Sequence, residues 1–240
     1  MEIRPLSSHA EFRAAERFQL DVWGFDPLEV TPLTELVVAQ KHGGLVLGAF
    51  DGDRLVGFLF GWIGRHDGKS YHYSRMTGVV PEFRDRGLGL QLKLWQRRWA
   101  LEQGYDLVCW TFDPLQSRNA HFNLRKLGVV CREYLVNFYG ENRSRFNRGL
   151  ETDRLVAEWW IASPRVLRCV GGQSPAADGL RIEIPESIDA VKEADLDAAR
   201  SWRSRVREAV TAAIAGGHVV CGYADRRLIL ERKPLEEILK

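Results

Sequence analysis

This sequence predicts an α/β chain, with a mixed, mainly antiparallel sheet flanked by helices and a C-terminal β-α-β-β extension. Short apolar runs bounded by turn residues alternate with stretches whose apolar residues recur at helical spacing. Asp51-Gly52-Asp53-Arg54 separates two such runs and marks a hairpin, which joins antiparallel neighbours. The chain has 240 residues, 45% of them hydrophobic, enough for one substantial core and a smaller second one.

The elements follow in order. A strand at 2–6 leads into Ser8-His9-Ala10-Glu11, a capping box opening a helix with Phe12, Ala15, Phe18 and Val22 on one face. Thr31-Pro32 reads as the cap and first residue of a second, shorter helix. The hairpin spans 45–63, and another strand runs over 71–80 until Pro81 stops it. Leu88, Leu92, Trp95 and Trp99 then share one face of an amphipathic helix. A buried strand at 106–112, a helix at 117–127 ending at Gly128, and a strand at 129–139 complete the first set. The connecting region holds one strand at 154–161, and Gly171-Gly172-Gln173-Ser174-Pro175 is the best linker. A strand (180–184), helices (187–215) and a hairpin (218–231) follow. These assignments divide the chain into a domain at 1–150, a connection at 151–179 and an extension at 180–240.

The extension echoes the start of the chain: Gly216-Gly217-His218-Val219-Val220 parallels Gly43-Gly44-Leu45-Val46-Leu47. A degenerate duplication and an ordinary β-α-β-β unit explain this equally well. Its apolar helix face (Ala194, Ala198, Trp202, Val206, Val210) needs a partner, either the main domain or the sheet of a second subunit in a homodimer.

Composition excludes several classes. The formal charge is +2, with both signs interspersed, so the chain lacks the basic stripe of a nucleic-acid binder. No apolar stretch has membrane length and the N-terminal residues lack signal-peptide regions, which predicts a cytoplasmic chain with no membrane partner. Four cysteines (Cys109, Cys131, Cys169, Cys221) lie far apart, without zinc-site spacing; no metal is expected and the thiols read as buried and reduced.

The chemistry concentrates at Val79-Val80-Pro81-Glu82-Phe83-Arg84-Asp85-Arg86-Gly87-Leu88-Gly89, between a strand and a helix. A diphosphate needs several N–H donors converging on one place, and the first turn of a helix leaves its own unpaired. Gly87 and Gly89 remove side chains that would hold phosphates away, while Arg84 and Arg86 supply positive charge. This run resembles the pyrophosphate motif of the GNAT superfamily of acyl-CoA N-acyltransferases: Arg or Gln, two residues, Gly, one residue, then Gly or Ala. The order of elements over residues 1–139 is also similar to that fold. Met76-Thr77-Gly78-Val79, Trp110-Thr111-Phe112-Asp113-Pro114-Leu115, Asn119-Ala120-His121-Phe122-Asn123 and Lys126-Leu127-Gly128 resemble a subgroup of GNAT acyltransferases, some of which are held to N-succinylate amino acids.

The resemblance implies an acyl-CoA (acetyl-CoA or succinyl-CoA) as co-substrate and a small-molecule amine as acceptor, such as an amino acid. It places the coenzyme where the strand ending at Val80 splays from the strand ending at Phe112. The pantetheine arm would pair with the backbone of Gly78, Val79 and Val80, and the Val79 N–H would stabilise the developing oxyanion. Arg84, Asp85, Arg86, Gly87, Leu88, Gly89 and Leu90 would surround the pyrophosphate, and Asn119 and Phe122 the pantetheine or thiol. A CoA-binding sensor without transferase activity is the competing expectation.

Two customary catalytic groups are missing. Many relatives place a Glu on the strand before the loop, but here no carboxylate lies between Asp67 and Glu82, and the matching position falls near Tyr73. The Tyr four residues before the helix-ending Gly is replaced by Leu124. His72, Tyr73 and His121 are the candidate catalytic residues; Tyr139 and Asp113 are further candidates, and proximity with solvent as proton acceptor is another route. For a carboxylate on the acceptor or acyl group, two arginine clusters offer guanidinium forks: Arg143, Arg145, Arg148 and Arg154, and Arg200, Arg203 and Arg207.

Overall fold

The computed structural model describes residues 1–66, 68–140, 149–175 and 177–240. They divide into two compact units, Met1–Val108 and the described residues from 109 to 240. Arg143, Arg145 and Arg148 of the first arginine cluster lie outside the described residues.

In the first unit, β1 (Glu2–Pro5), β2 (Leu45–Asp51), β3 (Arg54–His66) and β4 (Lys69–Val79) lie side by side in that order, each pair antiparallel. The helices are α1 (His9–Trp23), α2 (Leu33–Lys41) and α3 (Leu88–Glu102). The capping box forms as the sequence predicts: the Glu11 N–H donates to Ser8 Oγ at 3.3 Å, and the Glu11 carboxylate accepts from the Ser7 and Ser8 N–H groups. Arg4 of β1 donates to the same carboxylate at 2.8 Å, tying strand to helix and holding the carboxyl down at about 2. Helix α2 starts one residue later than expected. Thr31 is held by α1 instead, its N–H donating to Gln19 Oε1 and its carbonyl accepting from Gln19 Nε2, while Glu16 accepts from the Leu33 N–H.

Strand β4 carries the feature that shapes the site. Phe60 lies opposite Met76 and Gly61 opposite Ser74, so Arg75 is an extra residue, a β-bulge. The bulge reverses which residues face which way. On one side of it His72 and Ser74 meet α3 residues Trp99 and Gln96. On the other, Gly78 faces α1: a Cβ there would lie 2.6 Å from Trp23 Cζ2 and 3.3 Å from Phe18 Cε1. Gly78 is therefore required by the packing of an indole. We predict that Gly78→Ala costs about 1–3 kcal/mol of stability by overpacking, measured as a lower urea midpoint.

The second unit contains β5 (Leu107–Phe112) from its third residue, α4 (Ser117–Ala120) continuing as one π-helical turn (His121–Lys126), β6 (Tyr134–Leu135), β7 (Arg154–Trp160) and α5 (Pro164–Val170). After these come β8 (Leu180–Glu183), α6 (Ile188–Ala194), α7 (Leu196–Ala215), β9 (Val219–Ala224), β10 (Arg227–Glu231) and α8 (Leu235–Ile238). β6 pairs antiparallel with β7, and β8, β10 and β9 form an antiparallel sheet in that order. The C-terminal residues thus pack in one unit with β5, β6 and β7: the Cys131 N–H donates to Val220 O at 2.8 Å and the reverse bond is 2.9 Å. All four cysteines are free and buried.

Three sequence expectations change. The strand at 129–139 shrinks to bridges at Val130 and Cys131 and the two residues of β6. Side chains replace the ladder there: Asp153 accepts the Asn137 N–H, Thr152 Oγ1 accepts the Tyr139 N–H, and Asn137 turns left-handed at φ 46°. Helix α5 was not expected, although Ser163 caps it and Pro164 is its first residue. The duplication is overturned by strand pairing. β1 pairs with β2, whereas its counterpart β8 pairs with β10 and not with β9. Among the described residues no helix is long and apolar enough to cross a membrane.

Candidate active site

Val80 donates its N–H to Val56 O at 3.0 Å, and Val79 lies opposite Gly57. Backbone groups of successive strand residues point to opposite edges, so the Val79 N–H and C=O point away from β3. The Val79 carbonyl accepts from Arg84 Nε at 3.1 Å, which fixes the loop on the end of β4. Pro81–Phe83 form one 3₁₀ turn, Glu82 pairs with Arg54 of β3, and the exposed Arg86 guanidinium sits 5.4 Å from the Phe83 ring centroid.

The chain then turns twice through left-handed backbone, at Asp85 (φ 60°) and Gly87 (φ 79°), before α3 begins. No side chain caps α3 and its first turn carries no acid. Its first internal bond is from the Gln91 N–H to Gly87 O, so the N–H groups of Leu88, Gly89 and Leu90 have no partner within the helix. A Cβ built on Gly87 or Gly89 meets nothing within 4 Å. These glycines are not demanded by protein packing, unlike Gly78. They border open space faced by free donors and by the positive end of a 15-residue helix, which fits a diphosphate.

The candidate catalytic residues separate. His72 is fully buried, edge-on to Trp99 at 4.9 Å, with neither ring nitrogen hydrogen-bonded. Burial, aided by the Lys93 charge, pushes it down to about 3. It is a neutral core residue that meets no solvent, and its environment gives no support to a catalytic role. The unfolded chain takes up this proton below about pH 6.5, while the folded one resists until about pH 3; the unfolded state therefore binds more protons in between, and stability falls as pH drops through that window. His72→Phe should remove this component and leave turnover unchanged, read as urea midpoints at about pH 7 and about pH 4.5.

Tyr73, half-buried, stacks on Trp62 with centroids 5.7 Å apart and planes at 26°. Trp62 also meets Phe60 edge-on at 5.3 Å. Trp62 and Phe60 border a groove of about 460 Å³ against α2, lined also by Thr31, Pro32, Glu35, Val38 and Ala39. Sequence reasoning missed this groove. Its one signal was an aromatic at alternate positions of β3 (Phe58, Phe60, Trp62), which reads equally as core.

In the second unit, His121 is half-buried on the π-helical turn, edge-on to Tyr223 at 6.3 Å. Burial first, and then Lys126 and Arg125, lower its pKa, so it is neutral at pH 7. Tyr223 of β9 also bonds to Ser117 Oγ. Asn119 is exposed, Phe122 is half-buried, and Leu124 is fully buried. Asp113 is held in a two-pronged ion pair by Arg203, at 2.8 and 2.6 Å, with Arg154 at 3.8 Å. Both carboxylate oxygens are engaged, so Asp113 is a structural anion. Arg207 bonds to Asp153 and Glu151, and Arg200 to Asp197. Burial works to raise the Asp153 carboxyl, but Arg207 and Tyr134 outweigh it and hold it low. The second arginine cluster therefore pairs with acids of its own unit.

No curated protein matches the sequence. Among solved structures, the chain is similar to aminoglycoside 6'-acetyltransferase type Ii (15% identity, TM-score 0.54, 67% of this chain and 97% of that one). It is also similar to the ribosomal-protein-S18-alanine N-acetyltransferase from Escherichia coli (14% identity, TM-score 0.54, 75% of this chain and 97% of that one). A third likeness is to the NatC complex bound to Gag peptide and CoA (12% identity, TM-score 0.50, 66% of this chain and 98% of that one). At such identities these likenesses show a shared fold. The model of the acetyltransferase (GNAT) family matches residues 10–129, half of the chain, and covers β2 to β5, the loop and the helix it opens. The chain belongs to the acetyltransferase (GNAT) family and is an acyl-CoA-dependent N-acyltransferase.

Proposed function

We propose that the protein transfers an acetyl, succinyl or similar acyl group from acyl-CoA to the primary amine of a small molecule. The observation that carries this reading is the cradle at Gly87 and Gly89, where free helix N–H groups face space that no protein atom occupies. In this reading Gly87, Leu88, Gly89 and Leu90 donate to the pyrophosphate, while Arg84, Asp85 and Arg86 shape its rim. Gly78, Val79 and Val80 receive the pantetheine arm. Asn119 and Phe122 keep the roles that the family resemblance implies, as part of the same proposal.

Acyl-CoA bound there supplies a thioester, whose C–S bond is exchanged for the amine's N–C bond as CoA leaves as the thiol. The Val79 N–H is directed to the strand edge where the carbonyl oxygen gains charge, and one preorganised donor of this kind is worth about 3 kcal/mol. The amine must be neutral to attack. With His72 buried, Tyr73 beside the aromatic groove and neutral His121 remain the side chains proposed to move protons, with solvent as the final acceptor. The test is release of free thiol from acetyl-CoA and succinyl-CoA against a panel of amines, amino acids and peptides. Turnover with small amines supports the proposal; tight CoA binding without turnover on any acceptor overturns it.

A further inference from the structure

We propose that the groove between α2 and β3 binds the acceptor, and that it selects an amine carried on an apolar or aromatic group and lacking a carboxylate. This rests on the N-acyltransferase reading above and narrows its substrate class.

The groove's chemistry is specific. Trp62 is 38% exposed and presents a ring already backed by Tyr73, so a second flat group can stack without reorganising the site. Val38, itself exposed, and Ala39 add carbon surface above the buried Phe60. Among the described residues lining the groove, the one charged group is Glu35, a carboxylate. A carboxylate in a groove with aromatic lining attracts an ammonium and repels an acid. The volume suits a small molecule rather than a folded partner. Phe60 lies opposite Met76 and Trp62 opposite Tyr73, so the groove runs along the strand from about 10 Å to about 17 Å short of the Val79 N–H.

The charge of the groove itself opposes an amino-acid acceptor. Nothing cationic lines the groove among the described residues.

The matched probes are 2-phenylethylamine and L-phenylalanine, which differ by the carboxylate. Titration calorimetry with the full chain should show 2-phenylethylamine binding at least 10-fold more tightly than L-phenylalanine. Trp62→Ala and, separately, Glu35→Gln should each weaken the amine at least 5-fold, and neither residue belongs to the coenzyme loop. Equal or tighter binding of L-phenylalanine, or unchanged affinity in both variants, overturns the inference. The two readings fail separately. If the amine binds as described but no acyl-CoA turns over with any acceptor, the groove stands and the transferase reading falls. If other amines are acylated while 2-phenylethylamine neither binds nor competes, the transferase reading stands and the groove assignment falls.

Discussion

Replacing Gly89 by Val is expected to raise the Kd for CoA at least 10-fold while leaving the melting temperature essentially unchanged. The two halves of this result have separate causes. A side chain at Gly89 meets no protein atom within 4 Å, and its φ is not positive, so the fold loses neither packing nor backbone comfort. Glycine is in fact the poorer helix residue, by up to about 1 kcal/mol against alanine. The isopropyl group instead projects over the first turn of α3, where the proposed phosphates approach the Leu88 to Leu90 N–H groups. Loss of two charge-assisted bonds at about 1.5–3 kcal/mol each exceeds a 10-fold change in affinity. Calorimetric titration of CoA and a thermal melt on the same samples decide it. A variant that melts early and binds weakly shows only a damaged fold.

The largest stability effect is expected at Arg203. Its guanidinium is 3% exposed and donates to both oxygens of Asp113. Burial alone would lower its pKa, and the bonds and charge of Asp113 reverse that, holding it above its usual value. Truncating Arg203 to Ala leaves Asp113 almost enclosed, with Arg154 at 3.8 Å as the remaining cation paired with it among the described residues. Breaking a buried pair from one side costs about 3–5 kcal/mol, because the stranded charge keeps its desolvation penalty. Replacing both partners by apolar residues, Asp113→Leu with Arg203→Met, should cost clearly less than Arg203→Ala alone. Urea unfolding of the three variants measures this. If Asp113 were a working base, its replacement would abolish turnover while stability stayed intact; the ion pair predicts the opposite ranking.

The candidate loop is legible in the sequence because its signal is local: two glycines and two arginines at a strand-to-helix turn need no tertiary information. The elements of the first unit were legible for the same reason, since capping boxes and hairpin turns are short-range. What could not be read depends on long-range pairing. The bulge at Arg75 decides which β4 side chains meet α3, and nothing in the local pattern marks it. His72 looked available because its burial comes from Trp99 and Tyr105, both more than 25 positions away. The arginines at 203 and 207 looked like anion sites, and their acids, Asp113 and Asp153, lie about 90 and 54 positions away. Strand-like composition at 129–139 became only a broken ladder, with the Asp153 and Thr152 side chains taking the Asn137 and Tyr139 N–H groups. Helix α5 did have a readable signal, Ser163-Pro164, within the connecting region.

The central claim is that the coenzyme rests on the backbone amides of one strand end and one helix start. Titrating CoA into ¹⁵N-labelled protein reads those amides directly. The account predicts the largest shifts at Val79, Gly87, Gly89 and Leu90, with Gly78 following as the arm pairs along β4. Shifts centred elsewhere, with Gly87 and Gly89 unmoved at saturating CoA, would contradict it.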